Sequence, residues 1–283
     1  MVFSNPLLLW LKFYNMKKFL FLLLSHLILV SCSQHYYYAP NTLHLPAVSQ
    51  KGQISIEASL NGSSQIRGTE VRSAWMPAQN VSVMANLMYL SGSFEQTNFF
   101  VFPTPPTELH TGSGHLLELG LSKHFPLSNT NSVFSITSGA GLGRSINTFD
   151  KQRKAELNFS RYFVQPAFMS YGKMANVGVG FRFSYLNFYG GTIDYTINES
   201  DLYTIKNIEQ KAHFLLPDVG FTAGVRFDPI EIRCNITLGL MPQPYQFGFS
   251  NHNLSISALT VLDAEQSNKK YTKRKISKKK KRK

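Results

Sequence analysis

The sequence predicts an all-β fold, an antiparallel up-and-down transmembrane β-barrel of about 10 strands. Three observations predict it. Polar and apolar residues alternate with period two through most of the chain after residue 52. No segment after the first 31 residues shows a convincing helical period. The connections between these segments alternate between short and long, which places the short ones at one end of the sheet and the long ones at the other.

The first 31 residues have the layout of a secretory signal peptide. A short positive segment, Met16-Lys17-Lys18, precedes the apolar stretch Phe19–Val30, and small residues follow. The apolar stretch is shorter than the roughly 20 residues of a membrane-spanning helix. Residues 1–15 fit no part of a signal peptide, so a translation start at Met16 suits the sequence better.

The apolar stretch ends in Leu29-Val30-Ser31-Cys32, which resembles the lipobox of bacterial lipoproteins. The resemblance implies that the Cys32 thiol carries a lipid, that the chain is cut before this residue, and that the new amino terminus is acylated, with palmitate as the expected acid. Residues 32–51 are then expected to form a periplasmic tether. An ordinary signal peptide followed by an incidental cysteine is the alternative.

The formal net charge of +13 is concentrated at the two ends of the chain. Residues 269–283 carry eleven Lys or Arg and no acid, and the leader adds three more lysines, so the remaining body is nearly neutral. We expect residues 264–283 to be a disordered, solvated tail, with an anionic lipid or another acidic partner as the functional alternative. A nucleic-acid partner is not expected for a secreted chain with a neutral body.

Ten segments are predicted to be strands. In the first, Ile54, Ile56, Ala58 and Leu60 share one face, while polar residues occupy the other. The segment at 66–76 has the weakest pattern, with Val71 and Trp75 as its strong apolar residues. The predicted strands lie near 53–61, 66–76, 80–90, 115–125, 132–146, 157–171, 175–189, 213–227, 230–241 and 253–262.

The connections between these strands alternate in length. Short ones are predicted at 77–80, 126–131, 172–174 and 228–229. Long ones are predicted at 91–114, 147–156, 190–212 and 242–252. The connection 61–65 is short but falls on the long-loop side. Short turns at one end and long loops at the other are the periplasmic and extracellular asymmetry of an outer-membrane barrel.

Residues 52–263 therefore resemble the small outer-membrane β-barrels of Gram-negative bacteria. The resemblance implies a location in the outer membrane, with the start of the first strand and the end of the last strand both on the periplasmic side. A lipid on Cys32 would then insert in the inner leaflet of this membrane. Aromatic residues fall near predicted strand ends, as in the girdles of such barrels: Trp75, Tyr89, Phe125, Tyr185 and Phe227. One departure is the chain of about twenty residues that follows Leu262, because such barrels commonly end on the last strand. The rival is a soluble β-sandwich lipoprotein acting as a binding module.

Charged residues occupy inward positions on several predicted strands. The acids are Glu57, Glu70, Glu118, Asp218 and Glu231, and the bases are Arg72, Arg182, Arg226 and Arg233. Because a buried charge is costly unless paired, this near balance predicts a cross-linked polar core that fills the lumen. A charged pore constriction, in which one sign should dominate, is the alternative.

No motif predicts a catalytic, cofactor-binding or metal site. Gly139–Ser145 has the sequence GAGLGRS but lacks the ending of a phosphate loop, and its glycines are expected inside a narrow barrel. His110 and His115 share a loop without a third metal ligand. His124 and Ser128 flank a turn with no obvious acid.

The apolar residues 99–102 lie in the loop at 91–114. We expect them to cover the barrel mouth or bind a partner, unless the flanking strands extend beyond the membrane. The sequence thus predicts a lipid-anchored barrel with a structural or ligand-binding role and no enzymatic activity, in contact with outer-membrane lipid and without an identified small-molecule ligand. A small-solute channel and a lipid-modifying enzyme are the weaker alternatives.

Overall fold

The computed structural model describes residues 38–45, 47–62, 66–95, 109–128, 131–148, 154–194, 213–240 and 252–263. Ten antiparallel strands form a closed barrel in which each strand pairs with its neighbours in sequence. The strands are β1 Gln53–Gly62, β2 Ile66–Ala78, β3 Val81–Glu95, β4 Leu109–Pro126, β5 Ser132–Thr148, β6 Lys154–Tyr171, β7 Ala175–Asp194, β8 His213–Phe227, β9 Ile230–Gly239 and β10 His252–Asp263. The predicted fold class and strand count are confirmed.

The first and last strands close the barrel. Gln53 of β1 lies opposite Asp263 of β10, and the pairing continues without a shift to Gly62 opposite Leu254. Closure removes the unpaired strand edges that an open sheet would expose. A single closed sheet also excludes the two-sheet sandwich that rivalled the barrel.

The two ends of the barrel differ in their connections. At the short-turn end, β1 begins, β10 ends, and the four tight connections lie between β2 and β3, β4 and β5, β6 and β7, and β8 and β9. At the opposite, long-loop end, β3 continues to Glu95 and β4 begins at Leu109, so the predicted loop 91–114 is shortened to 96–108. Residues 99–102, Cys32 and the basic tail lie outside the described residues.

The outward face of the barrel is apolar. Leu60, Leu119, Leu121 and Phe227 are among the many large apolar side chains that are more than half exposed there. Buried inward positions of β1 instead hold Ser55, Glu57, Ser59 and Asn61. An apolar outer face around a polar interior is the reverse of the arrangement in a soluble protein. It suits a sheet that is surrounded by lipid.

The aromatic residues predicted to form girdles lie at two levels. Trp75, Phe125 and Phe227 lie close to the short-turn end of their strands, whereas Tyr89 and Tyr185 lie well inside β3 and β7. Outward-facing residues of β7 are apolar without interruption from Val177 to Tyr185, close to the roughly 9–11 residues that a strand needs to cross a bilayer. Asn187 then interrupts the apolar face before the exposed Tyr189. The long-loop ends of the strands therefore continue beyond the apolar band.

Candidate functional site

The chain before β1 runs through the lumen of the barrel. We call residues 38–48 the N-terminal plug, of which position 46 is outside the described residues. Tyr38 packs edge-on against Phe159 in the long-loop half of the barrel, with 5.8 Å between ring centroids. Val48, ten positions later in the sequence, packs with Ala74 and Met76 near the short-turn end. The plug thus passes along the lumen from the long-loop half to the short-turn end.

A tight turn connects the plug to β1. Gly52 has a φ of 85°, a left-handed conformation that glycine adopts without steric cost. Its backbone N–H donates to the carbonyl oxygen of Met76 at 2.8 Å. This turn reverses the chain, so that β1 starts at the end of the barrel where the plug leaves the lumen.

The plug differs from the tether predicted for residues 32–51. Its residues from Asn41 to Leu45, together with Tyr38 and Val48, are buried rather than solvated. The physical reason lies in the barrel wall, whose inward glycines leave a groove and whose inward charges need polar partners. The filled lumen was correctly predicted, but the plug supplies part of the filling.

Inward glycines of β7 and β8 form the groove for two leucines of the plug. A Cβ added at Gly220 would lie 3.0 Å from Leu43 Cδ1, and one at Gly180 would lie 3.0 Å from Leu43 Cδ2. A Cβ at Gly178 would lie 3.0 Å from Leu45 Cδ1. These distances are tighter than ordinary carbon–carbon contacts of about 3.5–4.0 Å, so a larger residue would press on the plug.

The glycines of the segment GAGLGRS belong to β5 and not to a phosphate loop. Gly139, Gly141 and Gly143 face inward, and added Cβ atoms there would meet Phe163, Glu118 and Phe159. Their predicted placement inside a narrow barrel is confirmed.

Four buried charges and one plug residue form the central ion cluster: Glu118, Arg161, Arg182, Asp218 and Asn41. Arg161 Nε donates to Glu118 Oε1 at 2.8 Å, and Arg182 donates from Nε and Nη2 to Asp218 Oδ2 at 2.9 and 2.7 Å. Asn41 Oδ1 accepts from Arg161 at 2.7 Å and from Arg182 at 2.6 Å. Its amide nitrogen donates to Glu118 at 2.5 Å. One asparagine of the plug therefore bridges two ion pairs of the wall.

A second set of charges lies nearer the short-turn end, and we call it the lower ion cluster. It comprises Glu57, Arg72, Glu231 and Arg233. Arg72 Nη2 donates to Glu57 at 2.6 Å, and Arg233 Nε donates to Glu231 at 2.7 Å. Arg233 Nη1 also lies 3.8 Å from Glu57 Oε2, which joins the two pairs. Arg72 Nη1 donates to the carbonyl oxygen of Leu43 at 2.8 Å, so this cluster too holds the plug.

Further polar contacts fix the plug along its length. Asn253 donates to the carbonyl oxygen of Pro40 at 2.9 Å, and Gln165 donates to that of His44 at 2.6 Å. The Thr42 hydroxyl lies 3.2 Å from that of Ser255. Backbone carbonyls buried without partners would be costly, and here inward side chains of the wall satisfy them.

The predicted inward charges are mostly where the sequence placed them. All five predicted acids are buried, as are Arg72, Arg182 and Arg233. Arg226 is different, because its side chain is 43% exposed at the short-turn end and lies 3.9 Å from Glu231. Its position on the inward face of β8, in line with Thr222 and Gly224, is as predicted, but it is the second-to-last residue of the strand and does not belong to the buried core.

Arg161 was missed by sequence reasoning, although it is fully buried. Its strand, β6, carries large apolar residues on both faces: Phe159 and Phe163 point inward, while Tyr162 and Val164 point outward. The period-two contrast is therefore weak in β6. The available signal in the sequence was a single arginine between Phe159 and Phe163, the nearest residues on the same face of the strand.

The histidine and serine considered as a catalytic pair do not form one. His124 Nε2 lies 2.8 Å from Ser82 Oγ, and both residues are buried, whereas Ser128 is exposed. His124 Nδ1 has no hydrogen-bond partner among the described residues, so no acid orients the ring as in a triad.

Within the described ranges, no three His, Cys, Asp or Glu side chains are grouped so as to hold a metal ion. Helices long and apolar enough to cross a membrane are likewise absent from those ranges. Cys234 is a free, exposed thiol.

Comparison with known proteins gives similar structures only. No family model and no curated protein matches the sequence. The translocator domain of autotransporter NalP from Neisseria meningitidis is 10% identical, with 74% of this chain and 87% of that chain covered and a TM-score of 0.41. The COG4313 outer membrane channel from Pseudomonas putida F1 is 8% identical, with 77% and 97% covered and a TM-score of 0.40.

The N-terminal β-barrel domain of Pseudomonas aeruginosa OprF is 8% identical, with 74% of this chain and 98% of that chain covered and a TM-score of 0.33. At such identities the likeness concerns the fold alone.

Proposed function

We propose that this protein is an outer-membrane β-barrel that its own N-terminal plug closes, with a structural or surface-binding role rather than solute transport. The observation that carries the proposal is the plug itself, which is buried along the lumen and hydrogen-bonded to both ion clusters. The apolar outward band and the aromatic residues at its two levels support a membrane location.

The proposal includes a lipid on Cys32. The signal-peptide layout and the lipobox-like ending support it, and the residue lies outside the described part of the chain. The partners proposed for the protein are the lipids around the barrel and an anionic lipid or acidic partner for the basic tail. An enzymatic role is not proposed, because the Ser82–His124 pair is buried and lacks an orienting acid among the described residues.

A closed lumen predicts little steady conductance. Purified wild-type protein in planar bilayers should give no large single-channel steps, whereas a variant lacking residues 38–48 should conduct, because removal of the plug opens a continuous path between the ion clusters. Heat-modifiable migration in detergent gels should show that the deletion variant still folds as a barrel. If it does not fold, Gly220→Leu, which should displace the plug by occupying the space of Leu43, provides the test.

Large, stable conductance steps from the wild type would overturn the closed barrel. A folded deletion variant that conducts no more than the wild type would show that wall side chains alone close the lumen.

The lipid is tested separately. Labelled palmitate should enter the wild type and the Cys234→Ser control but not Cys32→Ser, because only Cys32 follows the signal segment. An unmodified mature amino terminus at another residue, found by mass spectrometry, would refute the lipid anchor.

A further inference from the structure

The plug buries a histidine beside the lower ion cluster. His44 is 9% exposed, and Gln165 of β6 donates to its backbone carbonyl oxygen at 2.6 Å. Charged or titratable groups of four strands act on its imidazole: Glu57 of β1, Arg72 of β2, His124 of β4 and Arg233 of β9. The two arginines among them are permanent cations.

The acceptors beside this imidazole are already in use. Glu57 and Glu231 each accept from an arginine and from one neutral side chain. His44 Nδ1 is buried without a hydrogen-bond partner among the described residues, and so is Arg72 Nε, which is a donor. The surroundings of His44 are therefore short of acceptors and not of donors.

A second proton on the imidazole would be a buried charge without compensation. The two acids and two arginines of the lower ion cluster balance in formal charge, so a charged His44 would leave this region positive. Both nitrogens of a charged imidazole are donors, and Nδ1 lacks an acceptor here. Glu70, further along the plug, already accepts from Asn61 and from the backbone N–H of Thr42. The buried histidine is thus held in its neutral form.

We propose that His44 makes the plug a pH-sensitive closure, in which protonation of the imidazole below about pH 6.5 releases the plug from the lower ion cluster and opens the lumen. The inference rests on the proposed closure of the barrel by its plug. A released, solvated imidazole binds the second proton, whereas the buried one does not. A falling pH therefore favours release, and a rising pH favours closure.

The size of the effect follows from this difference in proton binding. A solvated histidine titrates near pH 6.5, so the ratio of released to closed plug should rise about tenfold from pH 7.5 to pH 5.5. Carboxyl groups ordinarily titrate near pH 4, so the ion pairs of the lower ion cluster persist over this interval.

Hydrogen exchange tests the switch. The full-length barrel in lipid vesicles is incubated in heavy water at pH 7.5 and 5.5, and mass spectrometry follows the plug amides. Each rate is divided by the intrinsic exchange rate at that pH, and peptides of β8 report on the wall. His44→Gln replaces the imidazole by a neutral polar side chain, and His115→Gln is the matched control at an exposed position.

We expect protection of the plug to fall about tenfold from pH 7.5 to 5.5 in the wild type and in His115→Gln, while protection of β8 is retained. In His44→Gln it should change by less than about twofold. Equal protection of the wild-type plug at both pH values, or a tenfold loss in His44→Gln, would overturn the switch. A wild-type plug that is unprotected already at pH 7.5 would refute the proposed closure, and the switch with it.

Discussion

At the scale of single residues, Asn41 and Arg161 couple the plug to the wall. Arg161 is fully buried and donates to Glu118, Asn41 and the hydroxyl of Tyr38. Two of these three partners belong to the plug. A buried charge of this kind is stabilising only while its partners stay in place, so the cluster favours one position of the plug.

Replacing one member of the central ion cluster should therefore be costly. Arg161→Met leaves Glu118 buried without its main partner, and we expect a loss of roughly 3–5 kcal/mol in the free energy of unfolding. The double variant Glu118→Leu/Arg161→Met should lose less than the single one, because no unpaired charge remains. Urea unfolding of the barrel in lipid vesicles measures both.

The matched control is Arg226→Met, whose side chain is 43% exposed. It should change the free energy of unfolding by less than about 1 kcal/mol, as for exposed ion pairs. Equal losses for Arg161→Met and Arg226→Met would contradict the burial described for the central ion cluster.

At the scale of elements, the inward glycines of β7 and β8 provide the space for Leu43 and Leu45. The wall and the plug are complementary in shape, since added Cβ atoms at Gly178, Gly180 and Gly220 would all press on plug leucines. Glycines in these barrel strands thus allow another part of the chain to pack closely against the wall.

Filling this groove should displace the plug. Gly220→Leu places a side chain where Leu43 lies, so the plug should become accessible to chymotrypsin, with new cleavage after Leu43. The wild type should resist cleavage there, because Leu43 is buried. Peptide mass spectrometry after limited digestion measures the difference.

Gly114→Leu is the matched control, since a Cβ at this inward position meets only Arg144 O, at 3.4 Å. It should leave the plug protected. Equal protection of the plug in Gly220→Leu and wild type would mean that Leu43 does not occupy the groove.

The strands could be predicted from the sequence because each carries its own signal. Apolar-out and polar-in alternation located all ten, although the contrast is weak in β2 and β6. The largest error is at the start of β4, which begins at Leu109 instead of 115. The plug carries no such signal. Its conformation depends on partners from distant strands, such as Arg72 and Asn253, and no local period records those contacts.

At the scale of the whole molecule, the closed barrel and the plug form one buried interior. Ten strands lie near the narrow end of known barrels, whose interiors side chains can fill. Here the filling combines wall charges with a segment from the same chain. The central claim is therefore that residues 38–48 occupy the lumen of the folded protein.

A disulfide between plug and wall tests this claim most directly. A Cβ at Gly220 would lie 3.2 Å from Leu43 Cβ, close to the roughly 3.5–4.5 Å of disulfides. In a Cys234→Ser background, Leu43→Cys/Gly220→Cys removes the leucine side chain that would otherwise clash. Oxidation of the folded barrel in vesicles should cross-link these positions, as seen by mass spectrometry of the joined peptides.

The control is Leu43→Cys/Phe221→Cys, because the next residue of β8 points outward and is half exposed. We predict a nearly complete cross-link for positions 43 and 220 and none for positions 43 and 221. No cross-link in the first variant, or equal cross-linking in both, would contradict a plug in the lumen.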